Sequence, residues 1–326
     1  MKLNAYAKIN LILNVLGARP DGYHEVEMLM QAISLCDVVT VEFEEPHWNS
    51  VAASEGLCAA VSVSGQALSA SDFEYGEHDL AWKAALLMAQ TFRPELICPQ
   101  ADRDSCAKPA PPRVKGVRIS VEKHIPAAAG LAGGSADAAA VLIGLSRLWA
   151  LDKTAPPAEH NCGSSSDALL ALLSPLGARL GSDVPFCLAS QLGHPAAIAT
   201  GTGTSLEFVK PLSCGVTLYF SDRSIPDKTR AVYSELTEDD CRHRYDIRAF
   251  LAAKTLAKKR SLMGNHLQAP AQRLMKRFGI EPPAAAKASG RQPSAALRVM
   301  LCGAGPSYFS LGKTGPYRTV TDHQRP

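Results

Sequence analysis

The sequence predicts a mixed strand-and-helix protein organised as two domains. Three observations carry that expectation. The chain has 326 residues, more than one hydrophobic core usually serves. Its opening segment alternates apolar and polar residues with the period of a strand. The stretch IPAAAGLAGGSADAAAVL, from Ile125 to Leu142, runs through a glycine bend into an alanine-rich helix.

Ala5, Ala7, Ile9, Leu11, Leu13 and Val15 share one side of the first strand, and Tyr6, Lys8, Asn10, Ile12 and Asn14 share the other. Pro20, Asp21 and Gly22 then supply a preset φ, a side chain that bonds its own backbone and a residue free to take positive φ, so the chain reverses before Tyr23, His24 and Glu25. Val38–Phe43 and Ala59–Val63 read as strands, and Asp79–Thr91 as an amphipathic helix carrying Leu80, Ala84, Leu87 and Met88. Pro94–Gly116 contains five prolines and no periodicity, which marks a surface loop or insertion. Val117, Ile119 and Val121 alternate with Arg118, Ser120 and Glu122 as a strand leading into the glycine bend. Beyond it Val141, Leu142, Leu145, Leu148 and Trp149 form one helical stripe.

Asp152–Ser166, rich in Pro, Gly and Ser, is the candidate domain boundary, dividing residues 1–162 from 163–326. A helix is expected from Asp167 to Leu180, a turn at GSDVPF, a second turn at Gly201 and Gly203, and a strand at Val216–Phe220. Helices follow at Asp227–Leu236, at Arg248–Lys259 and over GNHLQAPAQRLMKRF. Glu281–Ala296 reads as a loose connector, Arg298–Cys302 as a last strand, and the tail from Gly312 as frayed.

Composition excludes several classes of function. With 46% hydrophobic and 20% charged residues the chain is an ordinary globular one, and no apolar run has membrane-spanning length. Lys8, Asn10 and Asn14 interrupt the opening apolar stretch, so a signal peptide is not expected. Nine scattered cysteines without a C-x-x-C pair suit a reducing compartment, and a cytoplasmic protein is expected. A formal charge of +3 is too small and dispersed for a nucleic-acid footprint.

Gly130, Gly133 and Gly134, followed by Ser135 and Asp137, put unpaired backbone N–H groups at the positive end of a helix dipole, where glycines allow close approach. Phosphate fits such a hole. A tight connection with Ser135 as N-cap is the alternative. No lysine follows the glycines as a Walker loop requires, and the spacing is not that of a dinucleotide fingerprint. The remaining pattern, P-x-x-x-G-L-x-G-G-S-x-D-A-A, resembles the phosphate loop of the GHMP kinases, the galactose, homoserine, mevalonate and phosphomevalonate kinases. AYAKINLILNVLGARPDGYHE, GSDVPFCL and LCGAGPSYFSL are similar, in this order, to segments of one branch of that family.

The resemblance implies an α+β, two-domain GHMP kinase fold. Residues 1–162, with an insertion at 94–116, would form an ATP-binding domain related to the second domain of ribosomal protein S5. Residues 163–326 would form a substrate-side domain with ferredoxin-like βαββαβ packing. It implies an ATP-dependent kinase acting on the 2-hydroxyl of a cytidine diphosphate-linked methylerythritol in isoprenoid precursor synthesis. ATP and Mg²⁺ would be its cofactors, with no nucleic acid or membrane partner, in a monomer or homodimer.

The same resemblance distributes roles. Pro126, Ala127, Ala128, Ala129, Gly130, Leu131, Ala132, Gly133, Gly134, Ser135 and Ala136 would wrap the triphosphate. Ala132 replaces a usual glycine, harmless only if φ there is negative. Asp137, in the first helical turn, would be the base, although the dipole alone lowers its pKa. Lys8 would lie beside it, keeping it ionised, and Asn10 would bond the acceptor alcohol. Tyr23 and Phe186 would sandwich the cytosine, His24 would bond its edge, and Asp183 would orient the polar arm or cap its turn. Lys83 resembles a nucleotide-site lysine, though Asp79 stands where the family shows Asn. Gly303 and Gly305 would form a second backbone bend, with Ser307 nearby. The rivals are a homoserine- or mevalonate-type kinase, which gives the GYHE turn no cytosine to hold, and a non-catalytic S5-like RNA-binding protein, which the near-neutral charge disfavours.

Overall fold

The computed structural model describes residues 1–44, 59–64, 79–97, 116–151, 164–221, 223, 225, 227–282 and 298–321. The interior of the expected insertion, nearly all of the expected boundary segment and most of the Glu281–Ala296 connector lie outside those residues. In chain order the elements begin with β1 (Lys2–Ala18), β2 (His24–Glu44), β3 (Ala59–Ser64), α1 (Leu80–Phe92), β4 (Gly116–Glu122) and α2 (Gly133–Leu148). They continue with α3 (Ser165–Leu180), α4 (Val184–Gln191), β5 (Ala196–Gly201), β6 (Ser205–Phe208), β7 (Gly215–Tyr219), α5 (Lys228–Ser234) and α6 (Glu238–Cys241). The last are α7 (Ile247–Ala252), α8 (Leu256–Leu262), β8 (Gly264–Asn265), α9 (Gln268–Arg277), β9 (Val299–Leu301), β10 (Tyr308–Gly312) and β11 (Tyr317–Arg318).

Two compact units interleave along the chain. The first comprises Met1–Tyr6, Cys36–Ile125 and Gly133–Leu192, the second Ala7–Leu35, Pro126–Ala132 and Gly193–Pro326. In the first unit β4 lies between two neighbours, antiparallel to the end of β2, with Val38 opposite Glu122, and parallel to β3. Helices α1 to α4 pack together in this unit. Asp79 starts α1 by accepting the N–H of Ala81 at 2.7 Å, the exchange an N-cap residue supplies. Helix α2 is buried almost all round because its small residues permit close approach; a Cβ at Gly144 would stand 2.7 Å from Val41 Cγ2. Phe186, fully buried on α4, adds an apolar burial of about 2 to 3 kcal/mol.

In the second unit β5 pairs with the first half of β2 and with β6, while β1 pairs in parallel with β8. Residues Ala7 to Val15 of β1 are buried on both faces, so the side carrying Lys8, Asn10 and Asn14 is an interior one as well. The remaining sheet runs β11–β7–β10–β9 with antiparallel pairings. That is the strand order of the expected ferredoxin-like arrangement. A short bend, rather than a helix, joins β10 to β11.

Three local expectations are corrected here. Arg248–Lys259 is not one helix, because Thr255 accepts the N–H of Lys258 at 3.2 Å and starts α8 separately from α7. Gly264 and Asn265 pair with β1 before α9 begins. The tail beyond Gly312 is not frayed as far as Val320. β11 pairs with β7, Val320 is buried, and Thr319 accepts the Cys214 N–H at 3.0 Å. Gln31, itself buried, donates to Val320 O at 2.9 Å and accepts from Leu212 N at 3.0 Å. Gln31→Ala orphans both backbone groups and is expected to cost about 1 to 3 kcal/mol in urea unfolding; an unchanged midpoint would show that the tail adds nothing to stability.

Candidate active site

The glycine stretch is a run of alternating backbone hands. Ala128, Gly130 and Ala132 have φ of 52°, 81° and 60°, whereas the residues between them are not left-handed. Such alternation turns successive N–H groups toward one side, the concave arrangement that accepts anions. Gly130 is obligatory, since a Cβ there would lie 2.0 Å from Cys302 O. The loop is docked by Leu131 O, which accepts the N–H of Lys8 at 3.0 Å, and by Lys228, whose Nζ donates to Ala128 O at 2.5 Å and also to Gly305 O.

In the first unit three buried charged groups meet. Lys123, just past β4, donates from Nζ to Asp137 Oδ2 and to Asp37 Oδ2, each at 2.5 Å. Asp37 Oδ1 accepts the backbone N–H groups of His124 at 2.5 Å and Ile125 at 2.7 Å. Exposures of 6%, 0% and 4% for Lys123, Asp37 and Asp137 put all three out of bulk water. A Cβ at Gly133 would press on Ile125, 3.1 Å from its Cγ2, and would touch Lys123 Nζ at 3.4 Å. The second oxygen, Asp137 Oδ1, is buried and has no hydrogen-bond partner among the described residues. Burial pushes the Asp137 carboxyl up to about 8, with the Lys123 ammonium opposing the rise and the Asp37 charge adding to it. Burial also works against the Lys123 ammonium, but the two carboxylates outweigh it and its pKa is raised.

In the second unit Lys8 Nζ donates to Asn10 Oδ1 at 2.9 Å, and Asn10 Nδ2 donates to Met28 Sδ at 3.4 Å. Gly303 borders this pair; a Cβ there would lie 3.6 Å from Lys8 Nζ and 3.7 Å from Asn10 Oδ1. Asn265 holds the bend by donating to Gly303 O at 2.8 Å and Leu301 O at 3.3 Å. His24 faces the ring of Tyr233, with centroids 4.6 Å apart, and Tyr23 is 64% exposed.

Comparison with known proteins bears on this arrangement. The family described as GHMP kinases N terminal domain matches residues 79–191. A 4-diphosphocytidyl-2-C-methyl-D-erythritol kinase of Synechocystis is 33% identical over 321 residues, 95% of this chain and 86% of the relative. This chain belongs to that kinase family. The Bacillus subtilis 4-diphosphocytidyl-2-C-methyl-D-erythritol kinase is 34% identical, covering 94% of this chain and 86% of its own length. A crystal structure of a 4-(cytidine 5'-diphospho)-2C-methyl-D-erythritol kinase superposes with a TM-score of 0.63 at 30% identity, covering 96% of this chain and 91% of that one. A Cytophaga hutchinsonii homoserine kinase, 15% identical with a TM-score of 0.56 over 96% of this chain and 85% of that one, shares the fold.

Within this GHMP kinase the expected site residues have distinct settings. Lys8, Asn10, Tyr23 and His24 belong to the second unit together with loop residues 126–132, whereas Asp137, Lys83, Asp183 and Phe186 belong to the first. The cation bonded to Asp137 is Lys123. Asp137 is the fifth residue of α2, in its second turn, and Ser135 is inside the helix, so Ser135 is not an N-cap. At that depth burial outweighs the dipole, which reverses the expected direction of the pKa. Phe186 is 0% exposed and fills the core, leaving no face for a cytosine. Asp183 occupies the N-cap position of α4 but makes no capping bond, and Lys83 is exposed on α1. Sequence reasoning missed Lys123, Asp37, Lys228, Tyr233 and Asn265. A lysine three residues before the loop proline was the available signal for Lys123.

Ala132 departs from the expectation of a negative φ: at 60° it sits in the left-handed region. A β-carbon there costs about 1 kcal/mol relative to glycine. Ala132→Gly is therefore expected to stabilise the protein by about 1 kcal/mol and raise its Tm; a lower Tm would contradict the assigned backbone strain.

Proposed function

We propose that this protein transfers the γ-phosphoryl group of ATP to the 2-hydroxyl of 4-diphosphocytidyl-2-C-methyl-D-erythritol, in non-mevalonate isoprenoid precursor synthesis. Family membership supports the reaction. The observation that carries the site is Asp137, a buried carboxyl with one oxygen bonded to Lys123 and the other without a hydrogen-bond donor among the described residues. An orphaned buried oxygen costs free energy, and accepting the hydrogen of an alcohol removes that cost.

Phosphoryl transfer needs positioning and charge stabilisation more than covalent chemistry. In this reading the backbone N–H groups of residues 126–136 hold the triphosphate. Asp137 Oδ1 accepts the hydroxyl hydrogen and receives the proton as the oxygen–phosphorus bond forms. Lys123, held on Oδ2, opposes the rise that burial imposes on that carboxyl and so favours its ionised form. Lys8 and Asn10 bind the polar arm of the substrate, and Tyr23 and His24 the cytosine, Tyr23 through its exposed ring. Among the described residues no group of three or more His, Cys, Asp or Glu side chains gathers for a metal. When bound, Mg²⁺ neutralises charge on the triphosphate. The setting is proposed to be the cytoplasm. Cys36, Cys187, Cys214, Cys241 and Cys302 are all free thiols, and among the described residues no helix is long and apolar enough to cross a membrane.

ADP release that depends on the cytidine substrate tests the proposal. Asp137→Ala is expected to lower kcat by about a hundredfold or more, and full activity in that variant rejects the base. The pH profile gives a second check. Asp137 works only when ionised, and its carboxyl is raised to about 8. The kcat/KM of the free enzyme should therefore climb through the neutral range as pH rises, instead of levelling off at the ordinary carboxylate range of about 4. A profile flat from mildly acidic pH upward would contradict it.

A further inference from the structure

Asp37 is the charged group next to this site to which the reaction above assigns no part. It lies on β2, is 0% exposed, and accepts three hydrogen bonds: Oδ1 from the N–H groups of His124 and Ile125, and Oδ2 from Lys123. Neutral packing at this position would need none of them. Burying a carboxylate costs several kcal/mol unless it is paired and hydrogen-bonded. Its placement does two things at once. It pins the backbone where the chain leaves β4 for the glycine loop, and it takes one of the three hydrogens of the Lys123 ammonium while Asp137 takes another.

We propose that Asp37 is a positioning residue for phosphoryl transfer: by sharing Lys123 with Asp137 it fixes the ammonium's place and limits how much of its charge falls on the base. The inference rests on the reading of Asp137 as the base. Two carboxyl groups divide one cation out of water, so the trio carries an excess negative charge only when Asp137 is ionised. With Lys123 undivided, Asp137 would be held as a weaker base. With no Lys123, it would stay protonated over the working range. The shared arrangement sets a strength between those extremes, suited to an acceptor that takes its proton late. Among the described residues the charged groups acting on Asp137 are Lys123, from the end of β4, and Asp37, from β2. From α1, Lys83 is exposed, and from α4 the neutral Gln191 donates to Ala136 O at 3.0 Å.

The test is the pH dependence of kcat/KM in Asp37→Asn and Lys123→Gln, with melting curves to confirm folding. Asn at 37 keeps an oxygen for the two backbone N–H groups while removing the charge. The acidic limb should move to lower pH in Asp37→Asn and to higher pH in Lys123→Gln, by roughly one unit or more in each direction. Limbs that stay at the wild-type position in both variants, whatever happens to Tm, would reduce Asp37 to a structural residue and overturn the inference. Should Asp37→Asn fail to fold, Asp37→Ser, which retains an acceptor for one N–H, and Lys123→Gln carry the same comparison. Asp137→Asn separates the two levels. Retained activity there sinks the base itself, whereas an inactive Asp137→Asn beside unshifted limbs sinks only the part given to Asp37.

Discussion

A single ammonium held between two carboxylates, away from water, is the constraint on which the first unit's chemistry depends. Lys123 cannot be removed without leaving Asp37 as an uncompensated buried charge and Asp137 protonated, a loss of about 3 to 5 kcal/mol in comparable settings. The arrangement therefore explains itself poorly as a stability device, since an apolar cluster of the same volume would serve at least as well. It explains itself better as a way of keeping a carboxylate at a helix start both buried and ready to take a proton. The pKa is raised by desolvation, opposed by Lys123, and left in the range where a proton can move in either direction.

The glycine loop answers to a different constraint, that of backbone hand. Residues 128, 130 and 132 are left-handed, the alternation that turns successive N–H groups to one side, yet only one of the three is glycine. The two alanines store strain, which the loop's anchors offset: Lys8 N–H on Leu131 O, and the Lys228 ammonium on Ala128 O. Strain retained at a ligand-binding loop is a common accompaniment of preorganisation. Gly130 is different, because its requirement is space beneath Cys302 O as well as φ.

Much of the local structure was legible in the sequence. The alternation in Val117–Val121, the amphipathic pattern of Asp79–Thr91 and the stripe from Val141 to Trp149 correspond to β4, α1 and α2 because local periodicity decides them. What was illegible depended on groups distant in the chain. Alternation in β1 reads as one face in and one face out, and nothing near Lys8 or Asn10 says that both faces are covered. The ordered tail depends on Gln31, which lies almost three hundred residues earlier. For the candidate site, motif reading reached Asp137 and the loop but not Asp37. An aspartate before a run of β-branched residues looks like any strand-edge acid until its partners at 123 to 125 are seen. Phe186 erred the other way: an aromatic after a turn looked available to a ligand, and packing has buried it.

Carbon-13 NMR titration of the aspartate side-chain carboxyls reads the central claim without passing through turnover. The Asp137 resonance, assigned as the one missing from Asp137→Asn, should titrate near 8 in the unliganded protein. A midpoint at the ordinary aspartate value of about 4 would mean that the shared ammonium and the burial do not hold this carboxylate in a proton-accepting range, and the account of the site would fail.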